Sequence, residues 1–206
     1  MSTPSHPPHE ASAKRQAIVA AAARLFMADG YGKTSMDAIA REAAVSKATL
    51  YAHFASKDQL FATIVGDACG RIALQDGTFD TGVTDMRAAL ASIGERLLRF
   101  LLAAETQAIQ RMVIAESQRF PELGAAFLAV GPQTFLSHLA EWLAAQSAAG
   151  RIRIADPAVA ADQFGALLRP LLFLRALLGV PPAPSEAEIL ANVDAAVSLF
   201  LAACAA

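Results

Sequence analysis

Apolar residues recur at three- and four-residue intervals along nearly the whole chain, and no segment alternates as a half-buried strand would. Ala13 to Asp29 puts Ile18, Ala22, Leu25 and Phe26 on one helical face, with Gly30 placed to end the helix. Thr34, three residues ahead of Asp37, makes a capping-box pattern for a short helix from Ser35 to Ala43. Ala44-Val45 then forms a tight connection. Ser46 caps a second short helix carrying Leu50 and Phe54, and Ser56 with Gln59 opens a longer one through Leu60, Phe61, Ile64, Val65 and Ala68. Further on, the periodicity predicts helices over Val83–Ala104, Gln107–Arg119, Pro121–Ala149, Asp156–Leu178 and Ser185–Ala203. The expected fold is all-α, with about nine helices and no internal repeat.

The two short helices and their turn have helix-turn-helix dimensions. Ile39, Ala40, Val45, Leu50 and Phe54 face inward in this reading, leaving Lys47, Ala48, Thr49, Tyr51 and His53 outward on the second helix. Such a set suits DNA. An ammonium and hydroxyls can meet phosphates or base acceptors, and a small alanine permits close approach to a thymine methyl. Thr34 and Ser35 stand at a helix start, where free N–H groups favour phosphate.

Charge sharpens the division. The first sixty residues hold seven Lys and Arg against five Asp and Glu, and the remainder holds ten against fourteen. All four lysines, Lys14, Lys33, Lys47 and Lys57, lie in the first part. A small basic module thus precedes a larger, acidic, apolar one, with no linker between them. The expected division is a disordered tail over 1–12, a DNA-binding module over 13–60 with its helix-turn-helix at 34–54, and a larger helical domain over 61–206.

Composition excludes several classes. Hydrophobic residues make up 55% of the 206 and charged ones 17%, too apolar for a disordered polyelectrolyte. The most apolar stretches, Phe164–Gly179 and Leu123–Ala140, contain Arg169, Pro170 and Arg175, and Pro132, Gln133 and His138, so neither suits a membrane span of about 20 residues. The Pro-, Ser- and His-rich start has no apolar signal region. Cys69 and Cys204 read as free thiols of a cytoplasmic protein, with a redox switch as the alternative. His6, His9, His53 and His138 have no metal-ligand spacing, and neither a phosphate loop nor a nucleophile elbow occurs. The expectation is no enzyme, no metal and no cofactor.

The chain resembles the TetR family of transcriptional regulators. The resemblance rests on Ala17-x-x-x-Ala21-x-x-x-Leu25-Phe26, on Gly30-Tyr31-x-x-Thr34-Ser35-Met36-x-x-Ile39-Ala40, and on Val45-Ser46-Lys47-x-Thr49-Leu50-Tyr51-x-His53-Phe54-x-x-Lys57. It implies phosphate contacts for Thr34, Tyr51 and Lys57, a base-proximal cluster of Ser46, Lys47, Ala48 and Thr49, and a backbone-proximal His53. Lys33, Ser35, Lys14 and Arg15 supplement them. Arg111 to Leu123 is similar to the regulatory region of AefR-like and AcrR-like members, which implies a small apolar effector.

For that effector the candidate lining is Gln107, Gln110, Arg111, His138, Gln163 and Arg169, with Phe127, Phe135 and Trp142 as flat walls. The last two helices carry wide apolar faces, and Leu167, Leu171, Leu174, Ile189, Val193, Val197 and Phe200 are the candidate dimer contacts. The implied function is a homodimeric repressor that binds a palindromic operator in double-stranded DNA and is released by its effector. The alternative is a helical protein that sequesters a hydrophobic molecule and ignores DNA.

Overall fold

The structure is a computed structural model and describes residues 8–73, 79, 82 and 84–204. Among these residues there are eleven helices and no strand. They are α1 (Pro8–Asp29), α2 (Met36–Glu42), α3 (Lys47–His53), α4 (Lys57–Ala73), α5 (Met86–Leu102), α6 (Ala104–Glu116), α7 (Pro121–Val130), α8 (Pro132–Ala148), α9 (Pro157–Leu167), α10 (Leu171–Leu177) and α11 (Glu186–Ala203).

Prolines account for the two helices beyond the expected count. The segment expected as one helix from Pro121 to Ala149 breaks at Gly131, and Pro132 begins α8, where its missing N–H costs nothing. The segment from Asp156 to Leu178 breaks likewise at Pro170, which cannot donate to the carbonyl one turn back and would clash with it. The tail expected over 1–12 lies outside the described residues up to position 7. From Pro8 onward the chain is already helical, proline being tolerated in a first turn.

Caps follow local chemistry. Asp156 accepts from the N–H groups of Ala158 and Val159, and Ser185 with Glu188 forms a complete capping box at α11. At α2 the cap is Ser35, which accepts from Ala38, rather than the expected Thr34. Gly150 and Gly179 (φ +71° and +67°) end α8 and α10 in Schellman turns, where the left-handed backbone is free of Cβ strain. Ala44 occupies the same position after α2 with φ +53°. The Ala44 N–H bonds Arg41 O and the Val45 N–H bonds Ala40 O, so a full Schellman turn connects α2 to α3.

Two compact units emerge: Met1–Asp67 with Met112–Leu128, and Ala68–Arg111 with Ala129–Ala206. In the first, α1 packs on α2 and α2 on α3. Ile18, Ala22, Phe26, Ile39, Ala40, Leu50, Phe54, Leu60 and Phe61 are all buried, as the periodicity predicts. The rings of Phe26, Tyr31 and Phe61 meet mutually at 5.3–6.1 Å, and Phe120 adds an edge contact to Tyr31 at 5.4 Å.

In the second unit α11 packs along α5 and α9, and α8 along α9. Gly94 is buried at the crossing of α5 with its neighbours. A Cβ there would stand 3.1 Å from Leu168 and 3.2 Å from Val193. Ile189, Val193, Val197 and Phe200 fill the core of this unit, with Phe200 edge-on to Phe164 at 5.0 Å. This corrects the expected partner face, because covering α5 and α9 consumes the side of α11 that carries those residues. Leu167 is half-buried against the same core. Leu171, Leu174, Leu178, Val180, Leu190 and Leu199 are the large apolar side chains left exposed on or beside α10 and α11.

Candidate nucleic-acid interface

The α2–α3 pair is fixed from beneath by Ile39, Ala40, Leu50 and Phe54, with Val45 half-buried between them. Leu50 and Phe54 face down, which turns Lys47, Ala48 and Tyr51 out to solvent, Tyr51 about half-exposed. Ser46 caps α3 by accepting from the Thr49 N–H at 3.0 Å, and its hydroxyl meets that of Thr49 at 2.8 Å. The start of the reading helix is therefore locked, and its two hydroxyls are oriented by each other. At seven residues α3 is about 10 Å long, a fit for one major groove.

Lys47 pairs with Asp37 of α2 at 2.6 Å, both side chains exposed. The sequence reading gave Asp37 only a capping role. Its position ten residues before Lys47 acquires meaning once the turn folds α2 back beside α3. His53 is half-buried, with its ring 6.5 Å from that of Phe54. Lys33 and Ser35 are exposed, and the guanidinium of Arg15 lies over the Phe54 ring at 5.4 Å.

Two residues of the predicted phosphate-binding set face inward. Thr34 is only 4% exposed, and its hydroxyl donates to Gly30 O (2.8 Å) and Leu25 O (3.2 Å), tying the α1–α2 loop to the end of α1. Lys57 donates to Tyr31 O (2.8 Å) and Thr34 O (3.1 Å). Its ammonium lies 4.1 Å from the Tyr31 ring centroid and 5.5 Å from that of Phe120. Burial pulls the Lys57 pKa down, and Asp58, Glu116 and Glu122 oppose that shift. The buried Tyr31 hydroxyl donates to Asp58, and burial together with that carboxylate raises the phenol pKa. Glu116 and Phe120 close over the same loop: a Cβ on Gly32 would come within 3.1 Å of both. The sequence signal for this cluster, aromatic Tyr31 and Phe120 with Lys57 between them in space, spans ninety positions and has no local period.

Of the residues expected to line an effector site, Phe127 belongs to the first unit and the others to the second. Gln107 and Gln110 are buried on α6. Arg111 is exposed and reaches Leu177 O at 3.4 Å. Phe135 and Trp142 are core residues of α8, while His138 is half-buried, its ring 6.3 Å from Phe79. Gln163 and Arg169 are exposed, the latter donating to Gly165 O. Unanticipated was Gln146, fully buried on α8, whose amide oxygen accepts from Arg151 at 2.6 Å.

Two family models match. Residues 18–64 match that of the bacterial regulatory proteins of the tetR family, and residues 88–206 match the C-terminal domain of AefR-like transcriptional repressors. A comparison with curated proteins finds no match. Among solved structures, the flavonoid-responsive regulator FrrA is 35% identical, with 93% of this chain and 96% of that chain covered and a TM-score of 0.78. A Mesorhizobium loti protein assigned to the TetR family is 29% identical over 94% of this chain and 97% of its own, with a TM-score of 0.81. A TetR-family regulator from Pseudomonas syringae is also 29% identical, over 91% and 95%, with a TM-score of 0.70. With a helix-turn-helix whose outer face is polar and whose inner face is packed, and with matches covering both ends of the chain, this protein belongs to the TetR family of DNA-binding transcriptional regulators.

Proposed function

We propose that this chain is a ligand-responsive repressor that binds a palindromic operator as a homodimer and leaves it when a small, largely apolar effector binds. The observation that carries the reading is the outer face of α3, where Lys47, Ala48 and Tyr51 are exposed on a helix held rigid by Leu50, Phe54 and the Ser46 cap. In this reading residues 13–60 supply the reading head, and the helices beyond it bind effector and partner. Lys47, Thr49, Tyr51, Ser46 and Ala48 face the groove, with Lys33, Ser35 and His53 toward the backbone.

The exposed apolar side chains of α10 and α11, Leu171, Leu174, Leu178, Leu190 and Leu199, support a partner surface. A two-fold pair would set its reading helices about one DNA turn, ~34 Å, apart. The responsiveness of FrrA to flavonoids supports an aromatic effector. α4 and α6 each run from one compact unit into the other, so a change at the effector site has two continuous helices along which to reach the reading head. Release requires that the effector bind the DNA-incompetent arrangement more tightly.

Fluorescence anisotropy on the DNA flanking the protein's own gene tests this, with an unrelated duplex alongside and salt varied. The expected result is preferential binding whose logarithmic salt slope is several units. Lys47→Met weakens binding and lowers the slope by about one unit. Equal affinity for both duplexes, from folded protein, would refute the reading.

A further inference from the structure

We infer that α6 carries a hydrogen-bond-accepting subsite, formed by the side-chain oxygens of Gln107 and Gln110, for an effector that presents hydroxyl or N–H donors on an apolar body. The inference rests on the ligand-responsive reading above and names the chemistry that such a ligand must offer.

Gln107 and Gln110 are three residues apart and so share one face of α6. They are only 4% and 9% exposed, in the company of buried Thr106, Ile109 and Val113. The orientation of the Gln107 amide is set by its neighbour. Its Nε2 donates to Leu101 O at 2.5 Å, and a backbone carbonyl can only accept, so the nitrogen must be the end directed there. The oxygen is therefore the free end, and Oε1 of Gln107 has no hydrogen-bond partner. Oε1 of Gln110, one helical turn on, has none either, and with no bond holding its Nε2 that amide is free to turn its oxygen toward a donor.

Buried polar atoms in folded proteins are nearly always paired, because an unpaired one forfeits the bond it made to water. Two unpaired acceptors on one face of one helix, within one turn, are not explained by the packing of an apolar core. A ligand that supplies donors would pair both of them. Low local polarity strengthens such bonds and punishes a ligand that lacks them. Acceptor-only groups such as ethers gain nothing from these two oxygens, and carboxylates are repelled by them. Phenols, alcohols and N–H heterocycles fit.

The test uses the full chain and matched pairs that differ only in the donor: 2,7-dihydroxynaphthalene against its dimethyl ether, and 4-butylphenol against 4-butylanisole. Affinities are read by isothermal titration calorimetry. The donor member of at least one pair binds roughly tenfold or more tightly than its ether. Gln110→Leu reduces that ratio, and Gln107→Leu/Gln110→Leu brings it to about one. Because an unpaired acceptor has been removed, Gln110→Leu also leaves the thermal midpoint of the ligand-free protein unchanged or higher. If the double variant fails to fold, the comparison of pairs on the wild-type chain decides alone. Ethers that bind as tightly as their phenols, or no binding in either pair, overturn the subsite. That failure is separable from failure of the regulator reading, which is judged without ligand by binding to the flanking DNA.

Discussion

Replacing Lys57 by methionine separates two roles that sequence and structure give the same residue. The family resemblance puts its ammonium on a DNA phosphate. The structure holds it against the Tyr31 and Thr34 carbonyls and the faces of two aromatic rings. Methionine keeps the length and apolar stem but removes the charge and both bonds. Hydrogen bonds from a charged donor contribute about 1.5–3 kcal/mol each, and a cation–π contact at a partly exposed site about 0.5–1 kcal/mol. The side chain is only half-buried, so water replaces part of what is lost and solvent screening lowers the total. A net loss of about 2 kcal/mol is expected, which for a chain of this length corresponds to a fall in Tm of roughly 4–8 °C. Urea denaturation followed by circular dichroism measures the first figure and a thermal scan the second. DNA anisotropy across salt concentrations supplies the other arm. A structural Lys57 costs affinity while leaving the salt slope unchanged, since no released counterion belonged to it. The reasoning is refuted by a Lys57→Met protein whose stability lies within about 0.5 kcal/mol of wild type while its salt slope falls by about one unit.

Other outcomes follow from the same packing. The folded-state pKa of Tyr31 is raised above its unfolded value of 10.0, so the stability it contributes is complete below that pH and lost as pH rises beyond it. Unfolding free energies measured between about pH 9 and 11 should decline in wild type and decline less in Tyr31→Phe. Gly94→Ala adds a methyl 3.2 Å from the stiff side chain of Val193 and 3.1 Å from Leu168. Overpacking of about 1–3 kcal/mol outweighs a helix-propensity gain of about 0.5–1 kcal/mol, and a stabilised Gly94→Ala in urea denaturation would contradict this. Leu171→Glu with Leu178→Glu charges the exposed apolar strip of α10 without touching the core. Analytical ultracentrifugation should show monomers of unaltered helicity, whereas Val197→Ala, inside the core, should lower stability by about 1–2 kcal/mol without a preferential loss of dimer.

Where the sequence was legible, short-range chemistry made it so. Ser46, Asp156 and Ser185 cap the helices they precede because an N-cap is decided within four residues. Leu50 and Phe54 lie inward because one apolar pair on a two-turn helix leaves a single way to pack. Most of the readings that differ from the structure concern partners distant in sequence. Thr34 and Lys57 look like surface polar residues until the loop at 30–34 is placed beside α4, where backbone carbonyls claim them. The apolar width of α11 was visible, but periodicity does not say which side meets α5 and which is left exposed. The breaks at Gly131 and Pro170 were legible in principle, since a proline ends a helix by local sterics, and the apolar runs around them concealed it.

The first compact unit is discontinuous in the chain, taking in Met112–Leu128 after a long excursion through the second. On the ribosome this orders assembly. Residues 1–67 emerge well before Glu116 and Phe120, so the loop around Gly32 and the Lys57 cage acquire their last covering only after about half of the polypeptide has been made. It also sets the cut points for modular engineering. A chimera that transplants this reading head by joining at residue 67 leaves its Phe120-facing surface bare, whereas a graft that carries Met112–Leu128 along with it transfers the unit whole.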